Sequence, residues 1–366
     1  MKKMQGNFLT SKKFNKEKLI QLIETNQHLI SENDSLELKE ILNNFKNDDF
    51  SLLTPQEIQF IESSNDDIIT KYLIFRHKFK KIPKLHIDSD LPQHLIIEPV
   101  SACNLRCVMC YQIDEKFSGK QEYMGMMDFE LFCKIIDDAY DCGIKAITLT
   151  GRGEPTLHPK IGDMLEYCKD KFFELKINTN ATLLNDDLIH QILKSGCNDI
   201  VFSIDSYKKD EYETIRVRGI FEEVLNNIKR FQEIREKHYS ESKCSTRISG
   251  MIINENQNPE QFKKFWQEYV DYVVMFHAQT RWDTYNNPIE IAGKNPCNYL
   301  WGEMNIWFDG KCNPCDTDYK STLSVGDANE SSIKEIWNSE KYQELRKLHK
   351  NGERNKCDPC DRCSNW

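Results

Sequence analysis

Residues 101–110 read SACNLRCVMC and carry three cysteines, Cys103, Cys107 and Cys110, in a C-x3-C-x2-C spacing with no fourth cysteine nearby. The stretch before them, HLIIEPV (94–100), is short and apolar and reads as a β-strand. Similar stretches recur downstream as AITLTG (146–151), ELKINTN (174–180), DIVFSID (199–205), TRISGMIIN (246–254) and YVVMFHAQ (272–279). All are apolar and often β-branched, as strands covered on both faces tend to be. Amphipathic helices separate them. One carries Phe129, Phe132, Ile136 and Tyr140 on a single stripe. A second has Leu188, Ile189, Ile192 and Leu193, opened by Asn185 and closed by Gly196. A third has Phe221, Val224, Leu225, Ile228 and Phe231.

Six strand–helix units argue for an α/β protein with a parallel sheet. Six are too few to close an eight-unit barrel, so a partial (βα)6 barrel is expected over residues 91–290. Ligands in such folds lie beyond the C-terminal ends of the strands. The loops there are SACNLRCVMC, GRGEPTLHP, NTNATLL and IDSYKKDEY, each polar, glycine-bearing or thiol-bearing.

Residues 1–90 form a separate helical region in this reading. KLIQLIETNQHLI (18–30) spaces Leu19, Leu22, Ile23 and Leu29 helically, and Thr54, Pro55 and Glu57 make an N-cap, a first-turn proline and a capping-box acid. The basic run FRHKFKKIPK (75–84) reads as a solvated face, and Pro83 and Pro92 bracket the passage to the next region. The chain has 366 residues and a net charge of −9, which argues against nucleic-acid binding. No apolar run is long enough to span a membrane and no secretory signal is legible at the N-terminus, so a cytoplasmic protein is expected.

Fourteen cysteines are many. Three lie in the first loop and six in the last seventy or so residues, at Cys297, Cys312, Cys315, Cys357, Cys360 and Cys363, which is a metal-ligand pattern rather than a disulfide framework. Cys133, Cys142, Cys168, Cys197 and Cys244 are scattered through apolar patterns and read as core residues. Three thiolates in one loop can hold three corners of a four-iron cluster and leave the fourth iron open for a small molecule. A zinc site is the alternative on the residues alone.

A C-x3-C-x2-C loop after the first strand of a partial barrel, followed by a GEP loop after the second, resembles the radical SAM superfamily over roughly residues 92–290. The resemblance implies that Cys103, Cys107 and Cys110 bind a [4Fe–4S] cluster. Its open iron would chelate S-adenosylmethionine (SAM), whose reductive cleavage gives a 5′-deoxyadenosyl radical. Gly153, Glu154 and Pro155 match the family's GGEP loop, with Arg152 in place of its first glycine. That loop receives the methionine amino group. Tyr111 is the aromatic nearest the third cysteine. Ser203 and Asp205, with Asn178 and Asn180, match the polar strand ends that contact ribose. Arg216, with Arg218 as alternate, matches the arginine that neutralises the SAM carboxylate. An electron donor such as flavodoxin or ferredoxin is implied.

The tail, residues 291–366, reads PCNYLWGEMNIWFDGKCNPC (296–315), then 41 residues, then CDPCDRC (357–363). Gly310 suits a turn between strands MNIWF and KCNPC. The stretch SSIKEIWNSEKYQELRKLH (331–349) reads as one helix packing through Ile333, Ile336, Trp337, Tyr342 and Leu345. This tail resembles the SPASM or twitch extension of radical SAM enzymes. The resemblance implies a second, auxiliary [4Fe–4S] cluster on Cys297, Cys315 and two of Cys357, Cys360 and Cys363, with Cys312 the remaining candidate. The implied chemistry is oxidation of a small molecule such as a sugar or alcohol. A peptide or protein side chain is the alternative substrate, and a non-catalytic Fe–S or zinc redox protein is the alternative class. His277, Arg281, Trp282, Asp283 and Tyr285 follow the last strand, where substrate groups would lie.

Overall fold

The computed structural model describes residues 15–278 and 283–365. They fall into two compact units, Met1–Ile87 and Asp88–Trp366. The first is helical, with α1 (Lys16–Thr25), α2 (Ser35–Lys46), α3 (Pro55–Ser63) and α4 (Asp66–Leu85) around a core that includes Leu19, Ile23, Leu38, Ile41, Phe45 and Leu73. The capping box forms as read, with the Thr54 N–H donating to Glu57 Oε2 at 2.8 Å. Pro83 and Pro92 bracket the passage between the units, which falls at Ile87 and Asp88, although Pro83 itself is still helical. It lies in the last turn of α4, where the lost N–H removes only one helical bond, and the chain leaves the helix at His86, in the left-handed region at φ 52°.

In the second unit all six expected strands form. They are β1 (His94–Ile97), then, past a two-residue β2 (Arg106–Cys107), β3 (Ala146–Leu149), β4 (Glu174–Thr179) and β5 (Asp199–Ser203), then, past β6 (Arg216–Val217), β7 (Ser245–Ile252) and β8 (Tyr272–His277). The six pair in parallel in the order β1-β3-β4-β5-β7-β8, with α5 (Glu115–Ser118), α6 (Phe129–Cys142), α7 (Ile161–Tyr167), α8 (Asp186–Lys194), α9 (Lys209–Ile215), α10 (Phe221–His238) and α11 (Pro259–Trp266) between them. Local signals set the helix ends. Asp128 accepts from the Glu130 and Leu131 N–H groups to open α6, and Gly143 closes it at φ 100°. The buried stripe of α6 runs through Phe132, Ile135, Ile136 and Ala139. Tyr140, placed on that stripe by spacing, is 50% exposed instead.

The tail is not set apart from this sheet. After α12 (Tyr299–Gly302), β9 (Glu303–Ile306) pairs in parallel with β1, His94 against Glu303 and Ile97 against Ile306. β10 (Lys311–Asn313) and β11 (Gly326–Asp327) add antiparallel strands, giving nine in the order β11-β10-β9-β1-β3-β4-β5-β7-β8. The expected long tail helix is two, α13 (Ile333–Trp337) and α14 (Glu340–Lys350). Ser339 interrupts it by taking an extended conformation and capping the Tyr342 N–H. Among the described residues no helix is long and apolar enough to cross a membrane.

The turn joining β9 to β10 needs Gly310, whose φ is +91° and whose added Cβ would lie 2.2 Å from Asn329 Nδ2. Gly310→Ala should therefore cost about 1–2 kcal/mol of stability. Tryptophan fluorescence in urea reads this unit directly, since every tryptophan lies at or beyond residue 266.

Candidate active site

The strand ends hold the loops as expected. The first and second loops meet at Gly153, where a Cβ would lie 2.3 Å from the Ala102 carbonyl oxygen and 2.4 Å from that of Val100. Only glycine allows this approach, and it lets the Glu154 N–H donate to Ala102 O at 2.9 Å. Gln112 ties the same two loops together, its Nε2 donating to Ser101 O at 2.7 Å and Arg152 O at 2.6 Å.

Arg152, the residue where the family motif has glycine, turns its side chain into the protein. Its Nε and Nη2 bond Glu98 at 2.9 and 2.6 Å, its N–H bonds Glu98 Oε2 at 2.7 Å, and its Nη1 donates to Tyr319 O at 3.0 Å. The guanidinium also lies over the Trp307 ring at 4.4 Å. Glu98 is fully buried and Arg152 is 3% exposed. Together they join the end of β1, the loop after β3 and the tail.

Glu154 is buried and accepts from Thr156 N, Thr156 Oγ1, Thr179 Oγ1 and Asn180 N at 2.6–3.1 Å. Burial pushes its carboxyl up, and these donors pull the other way. The structure thus gives this carboxylate a bracing task between the second and third loops. Pro155 opens the short turn that Glu154 caps.

The three thiols share one loop and act on one another's charge. Burial pushes Cys103 up to about 11 and Cys110 up to about 12, and each is raised further by a charge at Cys107. Burial also raises Cys107, opposed by Arg216. Donors point at the sulfurs: Leu105 N at 3.4 Å and Asn180 Nδ2 at 3.9 Å from Cys103, and Arg216 Nη1 at 3.9 Å from Cys107. N–H groups aimed at sulfur stabilise thiolates and tune iron–sulfur sites. The pairing of β2 with β6 sets Cys107 opposite Arg216. Asp205 is consumed locally, taking Arg216 Nε and Met251 N at 2.7 Å each. Arg218 is exposed.

Of the other candidates, Ser203 is half-buried at the end of β5. Asn178 has a buried Oδ1 with no hydrogen-bond partner among the described residues, an orphan that a bound polar ligand would satisfy. Lys176 shares that face of β4, and burial together with the Arg247 charge disfavours its ammonium form. The Tyr111 ring stacks on Tyr319 and its hydroxyl donates to Gly151 O at 3.1 Å. Exposed His277 ends β8, and Tyr285 bonds Asp318 at 2.6 Å. Arg281 and Trp282 lie outside the described residues. Spacing gave no sign of Glu98, Gln112, Thr179 or Tyr319, because each acts through a partner distant in sequence.

In the tail, burial pushes Cys297 up to about 12 and raises Cys315 and Cys360 well above the usual thiol value. Charges at Cys360 and Cys297 act on Cys315, and charges at Cys297, Cys357 and Cys363 act on Cys360, so these five thiols form one neighbourhood. Arg354 organises their loop, donating to the Cys360, Cys363 and Asn365 carbonyls at 2.6–3.0 Å. Cys312 is not brought to them. It is buried in β10 with its thiol 3.5 Å from Gly310 O, and the charges acting on it most are Asp327 and Asp309. Among the described residues, no three His, Cys, Asp or Glu side chains converge as a single ion would require. Cysteine thiolates are the usual ligands of iron–sulfur clusters.

Comparison with known proteins agrees with this arrangement. The model of the radical SAM superfamily matches residues 97–265, and that of the SPASM iron–sulfur cluster-binding domain matches residues 297–364. The chain is 27% identical over 318 residues to the tungsten-containing aldehyde ferredoxin oxidoreductase cofactor-modifying protein of Pyrococcus furiosus, covering 73% of this chain and 87% of that one. It is 24% identical over 286 residues to the antilisterial bacteriocin subtilosin biosynthesis protein AlbA of Bacillus subtilis, covering 68% of this chain and 60% of AlbA. Its fold is similar to that of BtrN in complex with AdoMet and 2-DOIA (TM-score 0.52, 18% identity, 76% of this chain and 95% of BtrN). It is also similar to that of Streptococcus suis SuiB bound to precursor peptide SuiA (TM-score 0.57, 18% identity, 82% of this chain and 76% of SuiB).

Removing one partner of the buried Glu98–Arg152 pair strands the other charge. Arg152→Met should cost about 3–5 kcal/mol. A Glu98→Gln/Arg152→Met double variant should recover part of that loss in the same urea titration.

Proposed function

The chain belongs to the radical SAM superfamily and carries a C-terminal SPASM iron–sulfur domain, and from that premise we propose that it abstracts a hydrogen atom from a substrate and oxidises it. The observation carrying the proposal is the loop of Cys103, Cys107 and Cys110, with backbone, asparagine and arginine donors facing its sulfurs. A [4Fe–4S] cluster held by Cys103, Cys107 and Cys110 would supply the electron for reductive cleavage of SAM to methionine and a 5′-deoxyadenosyl radical, and a second cluster in the tail would offer a one-electron acceptor for oxidation of the substrate.

The chain's own residues hold this chemistry in place. Arg216 sets positive charge beside Cys107 and favours its thiolate. Gly153 keeps the second loop against the first, and Glu154 fixes the third loop through Thr179 and Asn180. Asn178 and Ser203 offer polar groups at neighbouring strand ends, where SAM would lie. Cys297, Cys315 and Cys360, with Cys357 or Cys363, hold the tail cluster, and Cys312 is left out. A flavodoxin or ferredoxin supplies the external electron.

A small-molecule substrate, such as a sugar or alcohol, is the first reading. It is supported by the match along 87% of a protein named as cofactor-modifying. A peptide side chain is the second, supported by the bacteriocin-biosynthesis relative.

Anaerobic reconstitution should load about eight irons per chain, as two [4Fe–4S] units. The Cys103/Cys107/Cys110→Ala variant should keep about four and release no 5′-deoxyadenosine with dithionite and SAM. Cys360→Ser should lose the other set, while Cys312→Ser keeps both. Zinc in place of iron, or wild-type protein that leaves SAM intact, would overturn the proposal.

A further inference from the structure

The segment after the third core cysteine is gripped from the tail. Tyr111 adjoins Cys110, and its ring stacks on that of Tyr319 at 4.9 Å between centroids, 21° from parallel. Phe117 meets both rings edge-on at 5.8 and 5.3 Å. The Tyr319 hydroxyl donates to Asp114 Oδ2 at 2.9 Å, and Lys320 Nζ pairs with the same oxygen at 2.6 Å. On its other side, the tail loop is itself fixed. Asp318 is fully buried and accepts from the Tyr285 hydroxyl at 2.6 Å, the Thr322 N–H at 2.9 Å and the Leu323 N–H at 2.7 Å. Tyr319 is fully buried and lies four residues after Cys315.

Tyr319 and Lys320 bring a ring, a hydroxyl and an ammonium to one stretch, 111–117, which follows the third core cysteine. We propose that Tyr319 is a positioning residue that clamps residues 111–117, so that order in the tail's cysteine site holds the core cysteine loop ready for SAM. The proposal rests on the reading above that both thiol groups hold clusters, and it adds a coupling between them.

Amide hydrogen exchange and SAM binding on the reconstituted full chain test it. In Tyr319→Leu, exchange over 111–117 should accelerate about tenfold, while β4 stays at the wild-type rate. The Kd for SAM, and the change SAM makes in the electron paramagnetic resonance of the reduced core cluster, should weaken by a similar factor. The tail should keep its own iron, about four per chain. Tyr319→Phe keeps the ring stack and should restore most of the SAM affinity. Wild-type exchange and SAM Kd in Tyr319→Leu would overturn the clamp, as would acceleration spread evenly over the whole unit. Wild-type protein that takes up no iron sinks the cluster reading instead. In that case exchange over 111–117 in the metal-free chain still decides the clamp, upholding it if faster in Tyr319→Leu and overturning it if unchanged.

Discussion

Glu98 and Arg152 place two full charges where water does not reach them, and much of the second unit is arranged so that they can stay there. Desolvating such a pair is costly, and the mutual attraction repays it only when geometry and further hydrogen bonds are good. Here the guanidinium is satisfied by the carboxylate, by the Tyr319 carbonyl and by the Trp307 face. Each partner comes from a different part of the chain. The pair therefore fixes how β1, the loop after β3 and the tail hairpin meet, in a way that apolar contact alone would leave adjustable.

The thiol loop inherits that order. Cys107 is buried and Cys103 and Cys110 are half-buried, and burial alone would keep them protonated. A small set of donors delivered by neighbouring elements faces the sulfurs: Arg216 across the β2–β6 ribbon, whose charge opposes the effect of burial in part, and Asn180 from the end of β4. Glu154 is also part of this frame, since one of its four hydrogen bonds is accepted from the Asn180 N–H.

Much of this was legible because it is local. The six strands are short, often β-branched runs bounded by turn residues, and Asn185 and Gly310 mark their own cap and turn. The thiol spacing and the GEP loop likewise announce themselves. What was not legible depends on partners far along the chain. The joining of β9 to β1 has no signature in either strand, because nothing in HLII or EMNI marks the other as its partner. Arg152 looks like a departure from a motif until Glu98 is seen beside it. Cys312 shares a C-x2-C with Cys315, but β10 ends at Asn313 and the chain bends at Pro314, so the two thiols come to different surroundings. Tyr140 failed for a related reason, since a stripe counted by fours drifts off the face that the sheet covers.

The docking of β9 against β1 also sets a timetable for synthesis. β1 is the first strand of its sheet to leave the ribosome, and its outer edge is complete only when Glu303–Ile306 arrive, roughly two hundred residues later. At typical elongation rates that is an interval of about 10–40 s. During it, the backbone groups of β1 on that side have no strand to pair with, and Glu98 and Arg152 lack Trp307 and the Tyr319 carbonyl. The core cysteines are thus made long before their surroundings are finished, so nascent chains spend that time with the thiol loop open to iron, to oxidation and to chaperones alike.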